Sequence, residues 1–312
     1  MINYLSQKSK KYLSELSLIL VTIIWGGTFV IIKSAINDIS SMLFVAIRFG
    51  IAGLVLLPIV ISKRKLFNSE AVKSGLFLGL LLFSSFAFQT AGLKFTSATK
   101  SAFITVSGIV AIPFFQILVK KKLPSFGAIL GAVFVIVGVA FLSSSGNSFF
   151  DIFIELGSGF GIGEVLTLGC ALAYALYVVY LDVHSNTHEF WVIFPLQIFT
   201  ISILGFLFAY IFMFADVESL HITISENLII AFAYTSFLAT VITIALQTKM
   251  QKGVTPTKAG IIYSFEPIFA AIFAFFLINE KISNFGYIGS ALIFSGLIVS
   301  EIYDYWKKDN GR

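Results

Sequence analysis

The fold class of this chain is decided by one stretch, GAVFVIVGVAFL, which covers Gly131–Leu142 and contains no polar side chain. A strand of a membrane barrel alternates apolar and polar residues, whereas a helix satisfies its own backbone groups and can be apolar on consecutive positions. The whole chain has the same character, since 58% of its residues are hydrophobic and 12% are charged. Soluble domains carry about 25% charged residues. The sequence therefore predicts an all-α integral membrane protein.

About ten segments of the chain are apolar over roughly 20 residues, which is the length that a helix needs to cross a bilayer. The first segment is long enough to cross and has no small-residue cleavage site after it, so we interpret it as a retained helix rather than a signal peptide. The predicted spans are 13–33, 42–62, 72–93, 99–119, 126–143, 163–182, 190–214, 227–249, 258–278 and 285–304.

The Lys and Arg residues give these spans an orientation. Of the 21 Lys and Arg residues, sixteen fall on one side of the predicted membrane, four fall on the other, and Arg48 lies within a span. Because basic residues accumulate in cytoplasmic loops, we expect cytoplasmic N- and C-termini. The same rule accounts for the net charge of +5, so we expect membrane lipids as partners and no nucleic acid.

A polar pattern occurs twice in the chain. Gln89-Thr90 is followed by Thr99-Lys100, and Gln247-Thr248 is followed by Thr257-Lys258, at a constant offset of 158 residues. Each half then holds about five spans, and an odd number of spans places the second copy upside down in the membrane. Inverted repeats are a recurring design of secondary transporters that work by alternating access. The predicted organisation is a five-helix repeat over 1–145, an external connector over 146–162 and a second, inverted repeat over 163–312.

Several motifs carry a resemblance to a known family: Trp25-Gly26-Gly27-Thr28-Phe29, Arg48, Phe265-Glu266-Pro267-Ile268, Asn279-Glu280-Lys281-Ile282, and the later Gly286 and Gly296. With these motifs the chain resembles the drug/metabolite transporter superfamily, specifically its EamA-type members with ten helices. The first half departs from the pattern, since Lys121 stands at the counterpart of Glu280 and Ile109 stands opposite Pro267.

The resemblance implies a secondary active transporter of the bacterial cytoplasmic (inner) membrane. Its substrate would be a small metabolite, such as an amino acid, a related metabolite or a drug-like solute, with protons as a candidate coupling ion. A monomer and a homodimer both remain open. No nucleotide cofactor is expected, and the sequence contains no P-loop motif.

Two ionisable residues within spans are candidate substrate contacts, because such residues are costly in a membrane and tend to face a partner or a cavity. Arg48 would anchor a substrate carboxylate, or it would form a structural ion pair, or it would lie close enough to the interface to extend its charge into water. Glu266 would bind a proton or a substrate amine, or it would be a hydrogen-bonded carboxylate at a helix end. Pro267 is expected to loosen its helix, because proline removes a backbone donor.

Further candidates are aromatic and amide side chains that would line a cavity, or would pack and bind across helices. These are Trp25, Gln89, Tyr174, Tyr177, Gln247 and Tyr263. Lys100 and Lys258 occupy matching positions at the starts of two spans, where they would anchor or gate the helices. Glu280 is a candidate for the same role.

Two other functions are considered. A lipid or lipid-precursor flippase of the same superfamily would share the fold, and an apolar lateral opening would distinguish it. An intramembrane enzyme would need a nucleophile–base pair or a metal cluster within the spans. The three histidines, His184, His188 and His221, lie in or near loops, and Cys170 is the only cysteine. We therefore expect no catalytic residues, no metal site and no cofactor.

Overall fold

The structure is a computed structural model that describes residues 2–120, 126–143, 161–250 and 262–310. Within these ranges it contains helices and no β-strand, apart from an isolated bridge between Ile39 and Ile222. The α-helices are α1 (Ile2–Ala35), α2 (Ser41–Ser62), α3 (Ser69–Leu93), α4 (Ala98–Ser107), α5 (Ile112–Lys120), α6 (Phe126–Ser143), α7 (Ile162–Thr187), α8 (Phe190–Phe214), α9 (Glu226–Ala233), α10 (Thr243–Met250), α11 (Glu266–Ile278) and α12 (Asn284–Asn310).

Seven helical segments of the described chain are long and apolar enough to cross a membrane. They are Tyr12–Ala35, Ser41–Ser62, Ser69–Leu93, Ala98–Ile117, Ile162–Thr187, Phe190–Phe214 and Glu226–Met250. Shorter apolar stretches, Ile129–Gly138 and Glu266–Ile278, lie in α6 and α11. The protein is therefore an all-helical membrane protein. Most of the predicted connector, residues 146–160, lies outside the described residues.

Three of the predicted spans are not uniform α-helices. A 3-10 turn over Gly108–Ala111 separates α4 from α5, and a π-helical segment over Tyr234–Ile242 joins α9 to α10. In the third, the span predicted over 258–278, α11 begins only at Glu266, so that Pro267, which was expected to loosen its helix, lies in the first turn. A proline is tolerated there, since the backbone N–H that it lacks would have no partner within the helix.

The helices pack in a pattern that relates the two halves of the chain. Helix α1 packs on α11 and on the α9–α10 segment, while α7 packs on the α4–α5 segment and on α3. Two further pairs, α2 with α8 and α6 with α12, join equivalent helices of the two halves. Every pair named here contains one helix from each half, so the packing between the halves builds the core of the bundle.

The described loops meet at two ends of the bundle. At one end the loop 36–40 bonds to the loop 215–225, with Ser40 N donating to His221 O at 3.1 Å and Thr223 N donating to Asp38 O at 2.7 Å. The loop 94–97 and the residues after α11 lie at the same end, which we call the Glu280 end. At the opposite end, Ser74 Oγ lies 3.0 Å from His188 Nε2 and joins α3 to the α7–α8 turn.

Candidate functional site

A small cavity, with a volume of about 40 Å³, lies between the two halves of the chain. Its lining is Trp25, Thr28, Arg48, Leu82, Ser85, Phe86, Gln89, Thr105, Tyr174, Ile244, Gln247 and Glu266. The structure thus brings together most of the substrate-contact candidates from the sequence. The side chains come from α1, α2, α3 and α4 in the first half and from α7, α10 and α11 in the second.

Arg48 is the cation of this cavity and is 1% exposed. Its Nε donates to Thr240 Oγ1 at 2.9 Å, and its Nη2 donates to the carbonyl oxygen of Ala239 at 3.1 Å. The guanidinium also lies over the rings of Phe49 and Phe86, at 5.0 and 4.8 Å from their centroids. No carboxylate among the residues that the structure describes lies within ion-pair distance of it.

The backbone that holds Arg48 is unusual. Both of its hydrogen-bond acceptors, Ala239 and Thr240, belong to the π-helical segment Tyr234–Ile242. Short π-helical segments within α-helices are rare and occur frequently at functional sites. The same stretch leads into α10, which contributes Gln247 to the cavity wall. The π-helical segment therefore lies at the cavity, where the second half of the chain binds Arg48 of the first half.

Aromatic rings and hydrogen bonds build the wall around Trp25. Its ring centroid lies 6.1 Å from that of Tyr174, edge to face, and 5.9 Å from that of Tyr263. Its Nε1 donates to Thr243 Oγ1 at 2.9 Å. Gln247 Nε2 donates to the hydroxyl of Tyr174 at 2.7 Å, so the amide and the aromatic wall are linked. This wall is held by buried contacts before any ligand enters.

Tyr177 and Tyr263 lie behind this wall rather than on it. Tyr177 is completely buried, packs against Tyr174 at 5.9 Å between ring centroids and donates its hydroxyl to Gln197 Oε1 at 2.8 Å. Tyr263 is 2% exposed and packs on Trp25. Neither belongs to the cavity lining, and both support the aromatic side chains that do.

Glu266 reaches the cavity because α1 and α11 approach closely. A Cβ at Gly26 would lie 2.7 Å from Phe269 Cβ and 3.1 Å from the carbonyl oxygen of Glu266, so only glycine fits this position. The contact places Glu266, which is 8% exposed, beside Trp25 on the cavity wall. Among the described residues no cation pairs with it.

Glu280 lies away from the cavity and caps a helix of the other half. Its carboxylate accepts from the backbone N–H groups of Ala98 at 3.2 Å and Thr99 at 3.0 Å, which open α4. The side chain of Ser97 accepts from Lys100 N at 3.2 Å in the same turn. Lys100 is partly buried there. Lys258, its predicted counterpart, lies outside the described residues.

Further polar contacts at the Glu280 end hold the loop 94–97 to the rest of the protein. Lys33 Nζ donates to the carbonyl oxygens of Leu93 at 2.6 Å and Thr96 at 2.9 Å. Glu218 forms an ion pair with Lys94 and accepts from Ser41 N at 2.9 Å, at the start of α2. These partners were not foreseen from the sequence, because each contact depends on how distant segments approach.

Together, the membrane-length helices and the polar cavity enclosed between them define the class: a polytopic helical membrane protein with an internal polar site. Comparison with known proteins gives the family. The EamA-like transporter family matches residues 13–144 and again residues 161–301, and the chain belongs to this family. The resemblance deduced from its motifs is confirmed.

Its relatives are transporters by description. One "Uncharacterized transporter" from Archaeoglobus fulgidus is 31% identical, over 93% of this chain and 86% of its own. The "Uncharacterized transporter YoaV" from Bacillus subtilis is 23% identical, over 91% of this chain and 95% of its own. A solved structure described as "Crystal structure of protein" has the same fold, with a TM-score of 0.65 and 16% identity over 93% of this chain and 96% of its own.

Proposed function

We propose that this protein is a secondary active transporter that moves a small metabolite across the cytoplasmic membrane by alternating access. The observation that carries the proposal is the central cavity, whose wall combines residues of both matched family segments and includes the buried cation of Arg48. A charged group buried in a membrane protein is expensive, and such groups mark substrate and ion pathways.

The packing supports two inverted repeats of five spans each. Exchanging the halves turns the contact of α1 with α11 into the contact of α7 with the α4–α5 segment, and both contacts are present. Each of these two contacts is tight at a glycine, since Gly26 of α1 meets the backbone of α11, and Gly108, between α4 and α5, meets the carbonyl of Ala171 in α7. A scaffold of this kind has two equivalent arrangements, each of which opens the same central site to one side.

The loops support the proposed crossing order. The loops that follow α1, α3, α8 and α11 share the Glu280 end, and those that follow α2 and α7 share the opposite end. Since the clusters of Lys and Arg flank the opposite end, we assign that end and both termini to the cytoplasm.

The lining favours a water-soluble solute over a lipid. Polar groups of the wall come from Arg48, Gln89, Gln247 and Glu266. The hydrocarbon chain of a lipid in the cavity would offer these buried groups no hydrogen-bond partner, which is costly. Glu266 is the proposed site of proton coupling, because among the described residues that line the cavity it alone carries a carboxyl group.

The test is flux in proteoliposomes that contain the purified full-length chain. A mixture of labelled metabolites is offered with and without an imposed pH gradient, and protein-free liposomes and the Glu266→Gln variant serve as controls. Accumulation that needs both the protein and the gradient, and that is lost in Glu266→Gln, is the expected result. Equal accumulation with and without the gradient would refute proton coupling, and no protein-dependent flux for any solute would refute transport.

A further inference from the structure

The guanidinium of Arg48 has hydrogen-bonding capacity that the protein does not use. An arginine side chain presents five N–H donors and stays positively charged in proteins. Two of these donors bind Thr240 Oγ1 and the Ala239 carbonyl, which are neutral acceptors. The rings of Phe49 and Phe86 stabilise the charge from its faces, but they do not neutralise it. Donors of a buried cation on a cavity wall are therefore left for an anion.

The opposite kind of group is also left unpaired. Gln247 is 1% exposed, and its Oε1 has no hydrogen-bond partner although Nε2 of the same amide binds Tyr174. A buried carbonyl oxygen without a donor costs about 1–3 kcal/mol. Since Gln247 lines the cavity, a donor on a bound ligand would satisfy it.

The charges of the wall limit the ligand to a single negative charge. Arg48 is the only cationic residue among the described residues that line the cavity, and Glu266 is a carboxyl group on the same wall. A dicarboxylate or a phosphate dianion would meet one cation and one acidic group, and its second charge would remain uncompensated. A carboxylate matches the planar, bidentate geometry of a guanidinium.

We infer that the cavity binds an organic monocarboxylate, an inference that rests on the proposed function and names its substrate class. The carboxylate binds the free N–H groups of Arg48. A hydroxyl, amide or amino N–H of the same molecule donates to Gln247 Oε1. The apolar part of the molecule lies against Trp25 and Tyr174.

Binding is tested separately from transport, by the thermal stabilisation that a ligand gives to the full-length protein in detergent. The probes are 4-hydroxybenzoate, 4-hydroxyphenylacetate, lactate, N-acetylglycine and L-phenylalanine, each compared with its primary amide. Succinate and inorganic phosphate serve as dianions. At least one monocarboxylate raises the melting temperature, and its amide binds weaker by on the order of 30-fold, because it leaves the cation unpaired. The dianions give no stabilisation.

The variants assign the effect to Arg48. Arg48→Gln abolishes the stabilisation by the acid. Thr240→Val keeps the cation but removes the acceptor that holds Arg48 Nε, so it weakens the stabilisation. This second variant still tests the role of Arg48 if Arg48→Gln does not fold. Arg64→Gln removes an exposed cation from the turn after α2 and serves as the matched control, with binding unchanged.

The inference is overturned if the amides stabilise as well as the acids, if no monocarboxylate of the panel binds, or if Arg48→Gln and Thr240→Val both bind like the parent. The two proposals fail in different ways. A monocarboxylate that binds without protein-dependent flux refutes transport and leaves the inference intact. Protein-dependent flux of neutral solutes, with no monocarboxylate bound, overturns the inference and leaves transport intact.

Discussion

The contact of Glu280 with the start of α4 joins the two halves of the protein at one end of the bundle. Its carboxylate accepts from two backbone N–H groups, at 3.2 and 3.0 Å, that have no partner within α4. We predict that this cap exists only while the Glu280 end is closed. Replacing Glu280 by alanine then shifts the protein towards the state in which that end is open.

The size of the shift follows from the two interactions that are lost. Removing a side chain that caps a helix N-terminus costs about 0.5–2 kcal/mol, and removing a negative charge from that position costs about 0.3–1 kcal/mol. Because Glu280 is only partly buried, we expect about 1–2 kcal/mol in total, near the lower part of these ranges. Since about 1.4 kcal/mol is a factor of ten in an equilibrium constant, the open fraction rises about 5- to 30-fold.

The assay measures how fast a thiol in the cavity reacts. The native Cys170 is replaced by serine, a cysteine is introduced at Thr28 on the cavity wall, and a membrane-impermeant thiol reagent is added from the Glu280 side. Glu280→Ala should raise the labelling rate about 5- to 30-fold, in proportion to the open fraction. Glu280→Gln, which keeps an amide oxygen, should give a smaller increase.

The matched control is Glu226→Ala, since Glu226 is an exposed acidic residue in the first turn of α9. An unchanged labelling rate in Glu280→Ala would show that the cap persists in both states and is no part of a gate. An equal increase in the Glu226 variant would show that loss of surface charge, rather than loss of the cap, causes the effect.

Three further predictions concern stability in detergent, measured by thermal unfolding. Gly26→Ala should destabilise the protein by about 1–3 kcal/mol, because the new Cβ would lie 2.7 Å from Phe269 Cβ. The control Gly50→Ala should cost less, because its Cβ would meet only Ser202 Oγ, at 3.2 Å. Equal losses of stability would contradict the close approach of α1 and α11. Thr243→Val should cost about 1–3 kcal/mol, because it leaves the buried Nε1 of Trp25 without its acceptor. The control Thr187→Val, at an exposed site on α7, should leave the stability nearly unchanged. An unchanged stability in Thr243→Val would argue against the hydrogen bond between Trp25 and Thr243. Lys94→Met should cost at most about 1 kcal/mol, because it removes a partly exposed ion pair with Glu218. Glu218→Ala should cost about 0.5–2 kcal/mol more, because it also removes the acceptor of Ser41 N at the start of α2. Identical losses in the two variants would show that this cap contributes nothing to stability.

Polar residues within long apolar segments were the most informative feature of the sequence. Arg48, Gln89, Gln247 and Glu266 stand out because each is costly in a membrane helix, and the structure places all four around the cavity. Their grouping follows from a simple constraint: in a lipid environment these side chains have only the bundle interior to face.

The residues that hold these groups could not be recognised in the same way. Thr240 and Thr243 bind Arg48 and Trp25, but threonine is common in helices, and the π-helical segment that carries Thr240 has no marker in the sequence. Glu280 was selected by its motif, whereas its partners, Ala98 and Thr99, are separated from it by more than 180 residues. Such contacts depend on tertiary packing that local patterns do not contain.

The cavity combines a repeated scaffold with chemistry that occurs once. Gln89 and Gln247 are equivalent by the offset of 158 residues, and both line the cavity. By contrast, α8, the equivalent of α2, contains no Lys or Arg that would match Arg48, and Glu266 corresponds to Gly108 at the offset of 158 residues. The packing that would allow two arrangements is thus shared by both halves, while the cation comes from one half and the carboxyl group from the other. A solute bound to Arg48 and a proton bound to Glu266 would therefore be held by different halves. Movement of one half against the other would change the distance between the two sites, which gives the proposed coupling a physical basis.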